Sequence, residues 1–335
     1  MGLISILKKK NNKTLFTTPS HSGKFCIFHK FYQWYKADIS EIDALSPEKA
    51  LQEAEAKAAK IYGTKYTKFL TNGSTSGVIS AILASNPKKI LIWDNAHPCH
   101  KNGAKLSDAE IIEYELHYNE ELGLYKAITL RKIKELVLEH TPDTLVITSP
   151  TYEGFVADIK EISKFCNENN VTLIVDEAHG ALYPFSDELP ESAVKYADFT
   201  VQSLHKTAGG INPTALLHSN KIDPTNALNM INTTSPSYPM LATIEANIRY
   251  LNSTRGRKHI KELINNIREL NIPQLNDDIT KILLKGGEEL SEVLFNEYNI
   301  EDERTNSKTT MLLCGIGTDK SKLNQLKKTL RNITF

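Results

Sequence analysis

From Ser46 to Ser203 the chain repeats one pattern: a short apolar run, a stretch with helical spacing, then another apolar run. The runs are TKFLT, KKILIWD, AEIIEYE, DTLVITS, VTLIVD and DFTVQS, with helical segments starting near Ser74 and covering residues 127–139 and 159–168. Strands that are apolar throughout, rather than alternating with polar residues, are covered on both faces, and helices between them allow parallel crossovers. The pattern therefore predicts an α/β fold with a mainly parallel sheet and helices on both faces. The segment SPEKALQEAEAKAAKIYG opens it as a helix, with Ser46 as N-cap, Pro47 at the first position and Gly63 past the end.

The pattern stops near Tyr250. A charged amphipathic stretch, HIKELINNIREL, leads into ITKILLK, a helix at GEELSEVLFNEY, two strands around Glu303 and MLLCGI, and a last helix, DKSKLNQLKKTL. Three parts follow: an aromatic-rich N-terminal arm over residues 1–45, a large α/β domain over 46–250, and a small α+β C-terminal domain over 251–335.

Partners are constrained by charge. Lys+Arg and Asp+Glu both number 40, so no net field attracts nucleic acid or an anionic membrane. Cys26, Cys99, Cys166 and Cys314 form no Cys-x-x-Cys pair, which suits a reducing compartment. The opening MGLISILKKKNNK places its apolar run before its basic residues, the reverse of a secretory signal, and Ile6 stands where a myristoylation signal has Ser or Thr. A cytoplasmic protein is expected.

In open α/β sheets, chemistry collects at the carboxyl ends of strands. FLTNGSTSG (residues 69–77) is a strand, a glycine turn and a helix start, where free amides and the helix dipole suit a phosphate; the same residues also read as a plain N-cap. VTLIVDEAHG (171–180) ends in Asp176, whose burial requires a cationic partner. Asp-Glu-Ala-His also occurs in nucleic-acid helicases, but no phosphate loop lies upstream. TVQSLHKTAGG (200–210) places Ser203, His205 and Lys206 after an apolar run. WDNAHPCHKNG (93–103) offers His97 after another; its clustered His97, Cys99 and His100 also raise a metal site, for which no further ligand stands at clear spacing. One cofactor accounts for the set. Pyridoxal phosphate takes a lysine amine, a carboxylate at its ring nitrogen, a phosphate cradle at a helix start and a flat group over its ring.

The ordered segments TNGSTSG, DNAHPCHKNG, TSPTYEGFVADI, VDEAHGALYPF, SLHKTAGG and TTSPSYP resemble the ornithine/lysine/arginine decarboxylase family of fold-type-I pyridoxal phosphate enzymes, from about Thr17 onward. The resemblance implies a seven-stranded sheet and a reaction that turns a basic amino acid into an amine of the kind used in polyamine biosynthesis. It implies that Lys206 bonds to the cofactor, Asp176 pairs with the ring nitrogen and His97 stacks on the ring. Ser74, Thr75, Ser203 and His205 would hold the phosphate, and His179 would sit near the ring and the substrate carboxylate. His205 or Lys206 would return a proton to Cα, and His21 would approach the substrate. Family active sites lie between two subunits, so a homodimer is implied, with Thr234 reaching the neighbour's cofactor.

The chain also departs from the family. Ser20 stands in Thr-Pro-Gly-His, Asp94 where Arg is usual, Pro98-Cys99 where Lys-Ser follows the stacking histidine, and Pro213 near a usual Gln. The chain ends at Phe335, where family members continue into a further C-terminal domain, so a short form is expected. Aminotransfer, acyl condensation, racemisation and a non-catalytic cofactor-binding role remain alternatives at this stage.

Overall fold

The computed structural model describes residues 2, 3, 5, 36–39, 42, 45, 46 and 48–333. His21 and most of the arm lie outside the described residues.

Helix α1 (Lys49–Tyr62) ends at Gly63, whose φ of 72° provides the left-handed cap. Its start differs from the expectation. Glu48 holds the N-cap without a side-chain bond, and the Ser46 carbonyl accepts from Lys49 N at 3.2 Å, so Ser46 sits in a lead-in turn. Then follow β1 (Tyr66–Leu70), α2 (Gly73–Ser85), β2 (Lys89–Trp93), α3 (Pro98–Leu106), β3 (Glu110–Tyr114), the short hairpin β4 (Tyr118–Asn119) and β5 (Leu124–Tyr125), α4 (Leu130–His140), β6 (Thr144–Thr148), α5 (Ile159–Glu168), β7 (Thr172–Asp176), β8 (Phe199–Ser203), α6 (Leu204–Thr207) and β9 (Ala215–Ser219).

Among the described residues seven strands form one sheet in the order β1-β9-β8-β7-β6-β2-β3, in which β9 runs opposite to the other six. Strand β9 is absent from the sequence-based strand list. Residues 204–214 hold only the one-turn α6, too little for a crossover, so the chain turns straight back beside β8.

Strand alternation divides the core. Leu91, Leu145, Ile147, Leu173 and Val175 pack on one face with Ile133, Ile159 and Ile162 of α4 and α5. Ile90, Ile92, Val146, Ile174 and Val201 pack on the other with Val78 and Ile82 of α2. Each such buried side chain is worth about 1.5–3 kcal/mol. Helix α2 lies close to the sheet at Gly77, where a Cβ would come within 2.7 Å of Leu70 and 2.8 Å of Val201 side-chain atoms.

Helices α7 (Thr225–Ile231), α8 (Tyr238–Asn252) and α9 (Thr254–Arg268) lead to a second sheet. It contains β10 (Lys281–Lys285), β11 (Arg304–Thr305) and β12 (Thr309–Leu313), antiparallel in the order β10-β12-β11, with α10 (Gly287–Tyr298) and α11 (Lys320–Asn332). One apolar cluster joins Leu204 and Leu216 of the large-sheet region to Ile260, Ile282, Leu312 and Leu323. Among the described residues no helix is long and apolar enough to cross a membrane.

Candidate active site

A cleft of about 1050 Å³ opens where β1, β2, β6, β7 and β8 end, and Ser74, Thr75, His97, Asp176, His179, His205 and Lys206 all line it.

Asp176, the last residue of β7, is 6% exposed. Its Oδ2 stands 2.9 Å from His100 Nε2, and its Oδ1 accepts from Ala178 N at 3.1 Å. Burial alone would raise this carboxyl, but the His100 hydrogen bond, the Lys206 charge and the Ala178 amide outweigh it and hold the group below its ordinary value. An ionised carboxylate only accepts, so His100 Nε2 is the donor. Sequence reasoning weighed His100 only as a metal ligand. The signal available was its position three residues after His97, one helical turn on.

His97 is the N-cap of α3, and its Nδ1 accepts from Cys99 N at 3.3 Å. That bond leaves Nδ1 without a proton, so the Cys99 thiol, 3.0 Å away, donates to it as well and Nε2 carries the ring proton. Ligand atoms of Cys99, His100 and Asp176 lie within 4.8 Å of one another. Burial pushes the Cys99 thiol up, and His100 Nε2 and Asp176 Oδ2 are already committed to each other.

Lys206 stands on α6, directly after β8, with Nζ 2.9 Å from His179 Nε2. Burial lowers the lysine, with Asp176 pulling the other way, and burial together with the Lys206 and Lys281 charges keeps His179 neutral at ordinary pH. The His179 ring packs at 4.5 Å from that of Tyr152, and its Nδ1 is buried without a partner among the described residues.

The far end of the cleft is the turn after β1. Gly73 takes a φ of +73°, and Asn72, the N-cap of α2, makes no side-chain cap bond. Ser74 and Thr75 therefore belong to the first helical turn, with Asn72 rather than either of them at the N-cap. Ser203 is fully buried behind the residues that line the cleft, and its Oγ has no hydrogen-bond partner among the described residues; His205 Nδ1 donates to Thr214 O at 3.2 Å. Free amides at a helix start suit an anion.

Thr234 is not brought to this cleft. It is exposed and lines a second groove with Phe69, Asn72, Leu228 and Tyr238. The opposite wall of the cleft carries residues that sequence reasoning missed: Tyr152, Glu153 and Arg304. Arg304 pairs with Glu153 at 3.3 Å and lies 5.0 Å over the Tyr152 ring, whose hydroxyl donates to Glu303 at 2.5 Å.

Residues 6–282 match the family described as Orn/Lys/Arg decarboxylase, major domain. An arginine decarboxylase of Bacillus cereus is 28% identical over 331 residues, covering 88% of this chain and 72% of its own. An arginine decarboxylase of Bacillus subtilis is 30% identical over 268 residues, covering 74% and 54%. The constitutive lysine decarboxylase of Escherichia coli superposes with a TM-score of 0.82 at 22% identity, over 98% of this chain and 59% of that one, so the two share a fold. With more than half of its length matched, the chain belongs to the Orn/Lys/Arg decarboxylase family.

Proposed function

We propose that the chain is a pyridoxal phosphate-dependent decarboxylase of ornithine, lysine or arginine, releasing carbon dioxide and the corresponding amine. One observation carries this reading: Lys206, Asp176 and the uncapped start of α2 line a single cleft. The names of the relatives, arginine and lysine decarboxylase, support the substrate class.

The donor set fits the cofactor. The first turn of α2 matches a phosphate, the Asp176 carboxylate matches a protonated ring nitrogen, and the His97 ring on the cleft wall matches the ring face. When bound, pyridoxal phosphate supplies an electron sink for the pair left on Cα as carbon dioxide departs.

The protein's own groups supply the rest. Asp176, held ionised, would keep a proton at the ring nitrogen of the bound cofactor, and His100 and Ala178 N fix the direction of its oxygens. Lys206, lowered by burial, has more free amine at neutral pH than an exposed lysine and so is the nucleophile. His179 Nε2, 2.9 Å away, hydrogen-bonds the Lys206 nitrogen and fixes its direction, and the Tyr152 ring packs against the His179 ring. We further propose that the chain acts as a homodimer in which Thr234 completes the neighbour's site, the role open to an exposed residue remote from its own cleft.

Carbon dioxide and amine release from a panel of amino acids, with Lys206→Ala as control, tests the reading. Release from at least one of the three substrates, abolished in Lys206→Ala, is expected. Cofactor binding without release from any of them would overturn it.

A further inference from the structure

The loops that carry Tyr152 and His179 are both stitched to one short segment from a distant part of the chain, residues 276–281, which leads from the connection after α9 into the first residue of β10. On the Tyr152 side, Asn276 Nδ2 donates to Glu153 O at 2.6 Å, Asp277 N and Asp278 N donate to Gly154 O at 3.0 and 3.1 Å, and Val156 N donates to Asp277 Oδ2 at 2.9 Å. Gly154 has a φ of +91°, and a Cβ there would come within 3.0 Å of Asn276 Nδ2, so the segment lies against bare backbone. On the His179 side, Lys281 Nζ donates to His179 O at 2.7 Å, and Tyr183 OH donates to Asp278 Oδ2 at 2.6 Å.

The two sides meet in an ion pair between Lys281 and Asp278, with both side chains 0% exposed. Every polar atom of the pair is used. Lys281 Nζ donates to His179 O, Asp278 Oδ2 and Thr280 Oγ1, and Asp278 Oδ1 accepts from Thr280 N at 2.9 Å and Thr280 Oγ1 at 2.7 Å. Burying two charges is costly, and in many proteins apolar residues of similar volume replace such a pair without loss of stability. What an apolar side chain cannot do is satisfy the His179 carbonyl and reach the Tyr183 hydroxyl in the same place.

We propose that residues 276–281 are a clamp that holds Tyr152 and His179 in register, with Asp278 and Lys281 as positioning residues that tie the three-stranded sheet to the active-site loops. Lys281 lies on β10, paired with Leu313 of β12, so a shift of that sheet pulls directly on the carbonyl of His179. The proposal rests on the pyridoxal phosphate reading only for the consequence in cofactor affinity; the mechanical role stands on the contacts.

The test compares wild type with Asp278→Asn/Lys281→Met, which removes both charges together and leaves neither buried alone, and with Tyr183→Phe, which removes one hydrogen bond. Amide hydrogen exchange is followed by mass spectrometry in peptides covering residues 150–156, 178–183 and, as reference, β1 to β3; affinity for pyridoxal phosphate is measured on the same proteins. The expected result is exchange about tenfold faster in both loops of the double variant, with the reference unchanged and cofactor affinity weakened, and a smaller change confined to 178–183 in Tyr183→Phe. Exchange that rises uniformly across the protein, or loops that exchange as in wild type, would overturn the clamp. Loosened loops with undiminished cofactor affinity would overturn its role in positioning the site. Neither readout consumes an amino acid, so a protein that decarboxylates nothing still tests the clamp.

Discussion

His100 and Asp176 meet at the floor of the cleft, Nε2 to Oδ2 at 2.9 Å, from elements 76 residues apart. Both are buried, so the histidine is the side-chain donor that keeps this carboxylate ionised and oriented. Asp176→Asn removes the charge and is expected to lower kcat/KM by about 10²–10³. His100→Phe keeps the ring volume and leaves only the Ala178 amide on the carboxylate, so a loss of about tenfold is expected. Steady-state rates with the best substrate of the panel check both, and near-normal turnover in Asp176→Asn would refute the assigned role.

Ser203→Ala separates a cofactor ligand from a structural hydroxyl. A buried hydroxyl without a partner costs stability, so its removal should leave the cofactor-free protein as stable as before, or more stable by up to about 1 kcal/mol. Affinity for pyridoxal phosphate should fall about five- to tenfold, the value of one hydrogen bond to an anion. Thermal melts and a cofactor titration give the two numbers. A loss of stability with unchanged affinity would place Ser203 outside the cradle.

Glu177 gives the fold a pH dependence of defined sign. Its side chain is buried and accepts from Ser192 Oγ, Ala193 N and Gln202 Nε2, yet burial outweighs these bonds and raises its pKa to about 7. A raised folded pKa means that the contribution is fully present below the unfolded value near 4.5 and is lost as pH rises through about 7. The loss amounts to roughly 3 kcal/mol at 1.36 kcal/mol per unit. His218, lowered by burial to about 3, works in the opposite sense: stability falls as pH drops below its unfolded value near 6.5. Denaturant titrations of wild type and Glu177→Gln at about pH 5 and about pH 8 isolate the glutamate. The difference in stability between the two proteins should move in favour of the glutamine variant as pH rises; a pH-independent difference would contradict the assignment.

Subunit sharing of the site predicts complementation. Lys206→Ala and Thr234→Ala should each be impaired alone, Lys206→Ala almost fully. Mixed dimers contain one site with both residues intact, so mixing followed by subunit exchange should restore activity above the sum of the two parents. Activity equal to that sum would remove Thr234 from the neighbour's site.

Much of the large sheet was legible because its signals are local. Apolar runs mark buried strands wherever they occur, and Asp176, Lys206, Ser74 and Thr75 stand at strand ends whose position follows from those runs. The resemblance to a known family rested on the same short ordered segments. Other features were decided only in three dimensions. Strand β9 reads as apolar, but its reversed direction depends on a loop too short for a crossover. The contacts of His100 with Asp176, of Tyr152 with Glu303 and of Lys281 with His179 span 76, 151 and 102 residues, and nothing in the local pattern of either partner names the other. Strand formation is set by the period of apolar residues along a few positions, whereas these pairings are set by which chain segments the packed sheets bring together, and only the folded chain brings them within reach.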